Sequence, residues 1–355
     1  MTKSESGLHW IFPLGTLIVL VLIFVALHFL RTPEPATPLD RALIWIASRQ
    51  KDDGSWHGEE IAVLRPGPAM TAFVLYAMTR LPEPLRAQFG ENIKRAVTYL
   101  EKCIDKDGMV GATSDGIDYP NYATSLTVLS FTALKKQDSV DRMVDYLKRT
   151  QLDEGEGWAT SDPEYGGWAF GGSSQPKPNA HRLDISMTRF ALEGLAAARV
   201  PAEDVAWSKA RRFLEGCQNK DGGFIFTPLT EQSKAGERVS YGSATADGLL
   251  CLRAAGASKE RIDAAEQWIR SRFTAEHCPG FAANAPRPWA AGLLGYWLAA
   301  SARSADASQR DWIRTVLISR QQSDGSWVNS TDVMLENEPL LATTLAVLAL
   351  SEVAR

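Results

Sequence analysis

Two kinds of apolar pattern alternate along this chain from about residue 40 onward. In the first, hydrophobic residues recur at helical spacing on one face, as with Leu43, Ile46 and Ala47 or with Trp312, Ile313 and Val316, which predicts half-buried helices. In the second, apolar residues run almost all round: TAFVLYAM, YATSLTVLSFTAL, ISMTRFALEGLAAA, SATADGLLCLRAAG, WAAGLLGYWLAA and LLATTLAVLALSEV. A helix without a polar face must be covered on every side. Six helices of each kind in alternation predict an all-α domain of two concentric rings, an α6/α6 toroid over residues 40–355.

A repeated segment joins the two patterns. A one-faced helix ends in glutamine, then a tight turn, then an aromatic residue, as in ALIWIASRQKDDGSW, RFLEGCQNKDGGF and VLISRQQSDGSW. A third copy reads DYLKRTQLDEGEGW, so Gln50, Gln151, Gln218 and Gln321 each stand four residues before a turn glycine. Two weaker copies carry Gly108 and Gly280. The expected turn glycines are Gly54, Gly108, Gly155, Gly222, Gly280 and Gly325, with spacings of 54, 47, 67, 58 and 45 residues. A period near fifty marks one helical hairpin per unit. Each unit then has its variable loop between the turn and the inner helix. All six loops, and six inner-helix N-termini, meet on one face, where unpaired N–H groups and positive dipole ends gather.

The N-terminus has a different character. Residues 1–9 form a short tail, and residues 10–30 include the uncharged run Ile11–Leu30, which is long enough as a helix to cross roughly 30 Å of hydrocarbon. A signal peptide usually has a shorter apolar region and a small-x-small cleavage site, so a retained single-pass transmembrane anchor is expected. Residues 31–39 contain Pro33, Pro35 and Pro38 and predict a semi-rigid linker. The soluble domain is expected on the non-cytoplasmic side, since long domains translocate largely regardless of charge.

Composition removes some function classes. The 355 residues are 45% hydrophobic and 23% charged with a net charge of −4, and no basic block is present, so no nucleic-acid partner is expected. Cys103 and Cys217 hold the same place in two repeats and Cys251 lies in an apolar helix; all read as buried free thiols.

The glutamine–glycine–tryptophan units resemble the QW repeats of terpenoid cyclases and, more broadly, the squalene–hopene cyclase and protein prenyltransferase superfamily. The resemblance spans residues 40–355. It implies an α/α toroid with an apolar central cavity that receives an isoprenoid chain, and it casts the repeat glutamines and tryptophans as braces between helices. Class II cyclases of this kind protonate an alkene with an Asp-x-Asp-Asp motif at the head of an inner helix, where clustered carboxylates make one of them a strong acid. The matching stretch here is PEYGGWAFGGSSQPKPNAHRLDISMTRFALEGL, whose four motif positions are Arg182, Leu183, Asp184 and Ile185. One aspartate remains, and Arg182 beside it favours the ionised form. Asp184 and His181 are the candidate catalytic pair. The prenyltransferase zinc site needs Asp-x-Cys and a distant histidine; Asp247 and Cys251 are the nearest approach, so no metal and no other cofactor are expected.

The long third loop contributes Trp168, Phe170 and Arg182 as candidate substrate contacts, alongside Tyr119, Tyr122, Tyr241 and Trp289 from other units. Asn121, Glu336 and Glu338 also belong to the inward-facing loop set. Arg65, Lys177, Arg182, Lys234, Arg238 and Arg287 are loop cations that could hold an anionic head such as a diphosphate or phospholipid. Three readings stay open: an isoprenoid or lipid enzyme of isomerase type with a modified acid; a binding or scaffold module whose rim takes a lipid, peptide or protein partner; and a carbohydrate enzyme using two carboxylates such as Asp184 and Glu338.

Overall fold

A computed structural model of the chain describes residues 37–60, 65–113, 116–117, 119–171, 183–229 and 233–354. The expected anchor at residues 10–30 and most of the linker lie outside these. Among the described residues no helix is long and apolar enough to cross a membrane.

The first helix, α1 (Pro38–Ser48), begins inside the stretch read from sequence as linker. Pro38 takes its first position and Thr37 closes a capping box with Asp40, the two exchanging backbone N–H donors at 3.1 and 2.8 Å. Proline's missing N–H costs nothing at a helix start, so the same residue that stiffens a linker also opens a helix. Five further outer helices follow: α4 (Gly90–Cys103), α6 (Val140–Arg149), α8 (Val205–Cys217), α10 (Lys259–Arg272) and α13 (Ala307–Arg320). Each buries one stripe; in α1 only Ala42, Leu43, Trp45 and Ile46 are buried.

The inner helices are α2 (Pro68–Thr79), α5 (Pro120–Ala133), α7 (Ile185–Ala197), α9 (Gly242–Ala254), α12 (Leu294–Ser301) and α14 (Pro339–Val353). Every residue of α14 after Pro339 is buried, and every residue of α2 but Phe73. Their hydroxyls are accommodated by bonding back one turn, as Thr127 does to the Ala123 carbonyl and Thr344 to that of Leu340, both at 2.7 Å. A short helix α3 (Glu83–Gln88) links α2 to α4, and one turn, α11 (Trp289–Gly292), precedes α12. A two-stranded hairpin, β1 (Ala112–Thr113) with β2 (Gly116–Ile117), departs from the all-helical pattern.

Inner helices touch in the order α2, α5, α7, α9, α12, α14 and back to α2. The repeat residues tie the outer ring to this cycle. Each glutamine amide donates to the carbonyl of its turn glycine and to a first-turn carbonyl of the next outer helix: Gln50 to Gly54 and Asn92 (both 2.9 Å), Gln218 to Gly222 (3.2 Å) and Arg261 (3.0 Å). Gln321 reaches Gly325 at 2.9 Å and, across the closure, Pro38 at 2.7 Å. Indole N–H groups of Trp56 and Trp327 return to Ile46 and Leu317 carbonyls at 2.8 and 2.9 Å.

The third unit corrects the sequence register. Gln151 pairs with Gly166 (2.9 Å) and Ala206 (3.0 Å), while Trp168 donates to the Leu147 carbonyl at 2.7 Å. The turn glycine is therefore Gly166, not Gly155, and the brace aromatic is Trp168, not Trp158. Gly166 has φ +92°, and a Cβ there would sit 1.9 Å from the Lys209 carbonyl oxygen. Gly54, Gly108, Gly222 and Gly325 press on the next outer helix in the same way, against Arg95, Arg142, Ala264 and Arg41. The residues between Gln151 and Gly166 are an insertion, in which Asp153 caps a turn of 3₁₀ helix and imitates the repeat locally.

Candidate functional site

The inner ring encloses a cavity of about 410 Å³, near the lower end of the roughly 300–1,000 Å³ that small-molecule sites occupy. Met70, Phe73, Leu126, Leu293, Leu341 and Leu345 make its walls predominantly apolar. Of the residues expected from sequence, Tyr119, Tyr122, Phe170, Asp184 and Tyr241 line it together. Trp168 does not: it is fully buried in the brace between helices. Trp289 stands outside the lining at the head of α11, with the Arg287 guanidinium 5.8 Å from its ring centre. His181, Arg182 and Lys177 lie outside the described residues.

Aromatic rings form a continuous ladder along one wall. Tyr119 meets Phe170 edge-on at 4.7 Å, Phe170 meets Tyr122 at 5.8 Å, Tyr122 meets Phe190 at 5.6 Å, and Phe190 meets Tyr76 edge-on at 5.9 Å. Asn121 fixes the top of this ladder. Its amide donates to the Ala169 carbonyl at 2.8 Å and its backbone N–H to that of Phe170 at 2.9 Å. Asn121 thus positions the third loop. Two cavity residues, Tyr119 (φ 29°) and Leu335 (φ 63°), hold positive backbone angles unusual for their side chains, the kind of local strain that clusters at binding sites.

Asp184 is the N-cap of α7, with its carboxylate accepting the Met187 N–H at 2.6 Å. Only 4% of it is exposed. Burial raises its carboxyl well above the usual range, and nearby Asp247 pushes the same way, against the Met187 N–H and the Lys234 charge. Lys234, half-buried in the cavity wall, shows the converse. Burial lowers its ammonium well below the ordinary lysine range, with Asp184 opposing. Its Nζ lies over the Phe226 ring and 6.0 Å from the centre of Trp289.

Sequence reasoning missed the charged wall below. Arg189 donates to Asp247 at 2.8 Å and to Glu193 at 3.0 Å; Arg303 also binds Glu193, and the Ser186 hydroxyl donates to Asp247. Arg80 joins Glu352 at the far ends of α2 and α14, Nε to Oε1 at 3.0 Å. Burial raises Asp247, and for Glu193 the two guanidiniums overcome burial and hold it low. These ions are mutually paired, so the wall offers polarity without surplus charge. A charged residue inside an otherwise apolar inner helix was the available signal.

The remaining candidates sit elsewhere. Glu336 is buried and caps α12, accepting from the Gly295 and Tyr296 N–H groups at 3.0 and 3.1 Å. Burial pushes it up to about 7. Glu338 accepts the Glu60 N–H at 2.9 Å and lies outside the cavity lining. Of the six loop cations, Lys234 alone among the described residues lines the cavity; Arg238 donates to the Gly216 carbonyl at 3.1 Å on the outer surface. Cys251 faces the Ile185 carbonyl at 3.7 Å while Asp247 is held by Arg189, so these two do not converge on a shared point.

Comparison with known proteins agrees with this geometry. Sporulenol synthase of Bacillus subtilis (strain 168) is 25% identical over 197 residues, which is 52% of this chain and 27% of that protein. The aligned stretch thus spans little more than a quarter of the synthase. A complex of the type II terpene cyclase MstE from Scytonema with geranylgeranyl dihydroxybenzoate superposes with TM-score 0.60 at 12% identity, over 89% of this chain and 96% of that one. A glycosidase gives 0.58 at 12%, covering 89% and 96%, and cellobiose 2-epimerase from Bacillus thermoamylovorans B4167 gives 0.56 at 11%, covering 87% and 95%. At these identities the shared property is the fold, which therefore serves more than one chemistry. The profile of the A-macroglobulin TED domain family matches residues 16–230, more than half of the sequence. The chain belongs to that family, within the terpenoid cyclase-like α/α toroid superfamily that its QW repeats resemble.

Proposed function

We propose that this protein binds an elongated, apolar, isoprenoid-like ligand in its central cavity and isomerises it by proton transfer from Asp184. One observation carries the reading: a buried carboxyl, its proton held more tightly by burial, lies in the wall of an apolar cavity. In its protonated form, which burial favours, that carboxyl has a proton to give. Once the proton has formed a new C–H bond on an alkene, the carboxylate left behind accepts the Met187 N–H at the positive end of α7. The carbocation faces Phe170, Tyr122 and Phe190, whose π faces attract positive charge. Loss of a proton from a neighbouring carbon restores Asp184 and completes an isomerisation with no net gain or loss of atoms. The mutually paired charges of the lower wall suit a neutral ligand better than a diphosphate.

In this reading residues 10–30 tether the toroid to a membrane, on the non-cytoplasmic side, and the bilayer supplies the ligand. Deuterium transfer tests it. Full-length protein is incubated in heavy water with vesicles carrying geranylgeraniol or squalene, and the recovered lipid is weighed. Deuterium at carbon, lost with Asp184→Asn, is the expected result. Unlabelled lipid with the unaltered protein, or equal labelling by the variant, overturns the role of Asp184.

A further inference from the structure

The cavity holds an amine that the proton-transfer reading does not use. Lys234 lines the same space as Asp184, and its ammonium has aromatic rings for neighbours where an ion-pair partner would be expected. Among the described residues it makes no hydrogen bond and no direct ion pair. Every other cation in the cavity wall is paired: Arg189 with Asp247 and Glu193, Arg303 with Glu193. At the same wall the buried Tyr241 hydroxyl has no partner among the described residues. An unsatisfied buried donor costs about 1–3 kcal/mol, so that position is a local cost of the same wall.

Lys234 and Asp184 line one space: an amine beside aromatic rings and a carboxyl able to give and take a proton. Desolvated lysines are nucleophiles toward carbonyl carbon. Resting on the reading that the cavity holds an apolar chain, we propose that the ligand carries an aldehyde or ketone and that Lys234 condenses with it to a Schiff base. The neutral Nζ attacks the carbonyl carbon, forming C–N as the C=O π bond opens onto the oxygen. The nitrogen passes a proton to the oxygen, giving a neutral carbinolamine. Asp184 protonates its hydroxyl, which departs as water. The nitrogen then returns its remaining proton to the Asp184 carboxylate, leaving a neutral imine. No oxidant or reductant enters.

Reductive trapping tests the proposal. Full-length protein is treated with farnesal and cyanoborohydride, and the adduct is located by peptide mass spectrometry. Lys234 is expected to label about tenfold faster than surface lysines, as a desolvated amine should. Lys234→Arg should abolish that adduct and Asp184→Asn slow it, while farnesol, which cannot condense, still binds both folded variants. Labelling spread over surface lysines at an unchanged rate in Lys234→Arg overturns the Schiff base. If farnesol binds but farnesal leaves Lys234 unlabelled, only this inference fails; if farnesol does not bind at all, the apolar-cavity reading fails with it.

Discussion

The brace ring and the central cavity are built from the same six hairpins and treat polar groups in opposite ways. In the braces, each glutamine amide is satisfied twice, each indole finds a carbonyl or carboxylate, and each turn glycine meets backbone with no room for a Cβ. Brace carboxylates are held low: in Asp221, hydrogen bonds from Ser240, Trp268 and Gly223 overcome burial, and in Asp324 the leading influence is the Ser326 N–H. In the cavity the balance reverses. Asp184 and Asp247 are pushed up by burial, Lys234 is pushed down, and the Tyr241 hydroxyl is left over. The difference teaches where stability is stored and where it has been given up for chemistry.

Four substitutions can break or sharpen that contrast. The largest effect is expected from Gly166→Ala, since its methyl would collide with the Lys209 carbonyl at positive φ. Chemical denaturation should show a loss of about 4 kcal/mol or more, whereas Gly155→Ala, at the position favoured by local spacing, should cost under about 1 kcal/mol. A near-equal pair of losses would return the brace to Gly155.

The second effect depends on pH. Asp184 has a folded-state pKa above its unfolded value, so its favourable contribution is complete below the unfolded value near 3.8 and fades as pH rises through the folded one. Asparagine keeps the N-cap. Asp184→Asn should therefore gain on the unaltered protein by roughly 2 kcal/mol as pH climbs from about 4 to 8, measured by urea midpoints. A difference that stays flat across that window would mean that Asp184 is not desolvated.

The smallest effect has the opposite sign to an ordinary core truncation. Tyr241→Phe removes a buried hydroxyl without a partner and should raise stability by about 1 kcal/mol. A loss on thermal melting would show that the hydroxyl is satisfied and belongs with the braces.

The braces were nearly all readable in the sequence because they repeat: glutamine, glycine and aromatic recur at one local spacing, and the inner helices betray themselves by lacking a polar face. The third unit escaped because Asp153, Gly155 and Trp158 reproduce that spacing inside an insertion. Gly166 is distinguished only by what it presses on, the Lys209 carbonyl of the next helix. The cavity was readable in part for the same reason. Asp184, Tyr119 and Tyr241 head inner helices, and a helix cap can be seen locally. Arg189 and Asp247 come from different helices, and their pairing is a fact of the ring. Lys234 looked like one more rim cation, because one of the rings near its ammonium, Trp289, lies far along the chain.

The amide of Gln321 donating to Pro38 has a meaning for synthesis. Of the toroid's helices α1 is made first, yet the groups that hold the start of α1 lie some 280 residues later, in the Arg41–Gln321 and Trp45–Asp324 pairs. Contacts of such separation form late and slow a folding reaction. Until the last unit emerges, the contacts that close the ring on α1 have no partner and the apolar faces of the end helices lack their cover. A truncation before α13 should therefore leave an aggregation-prone chain, not a smaller ring.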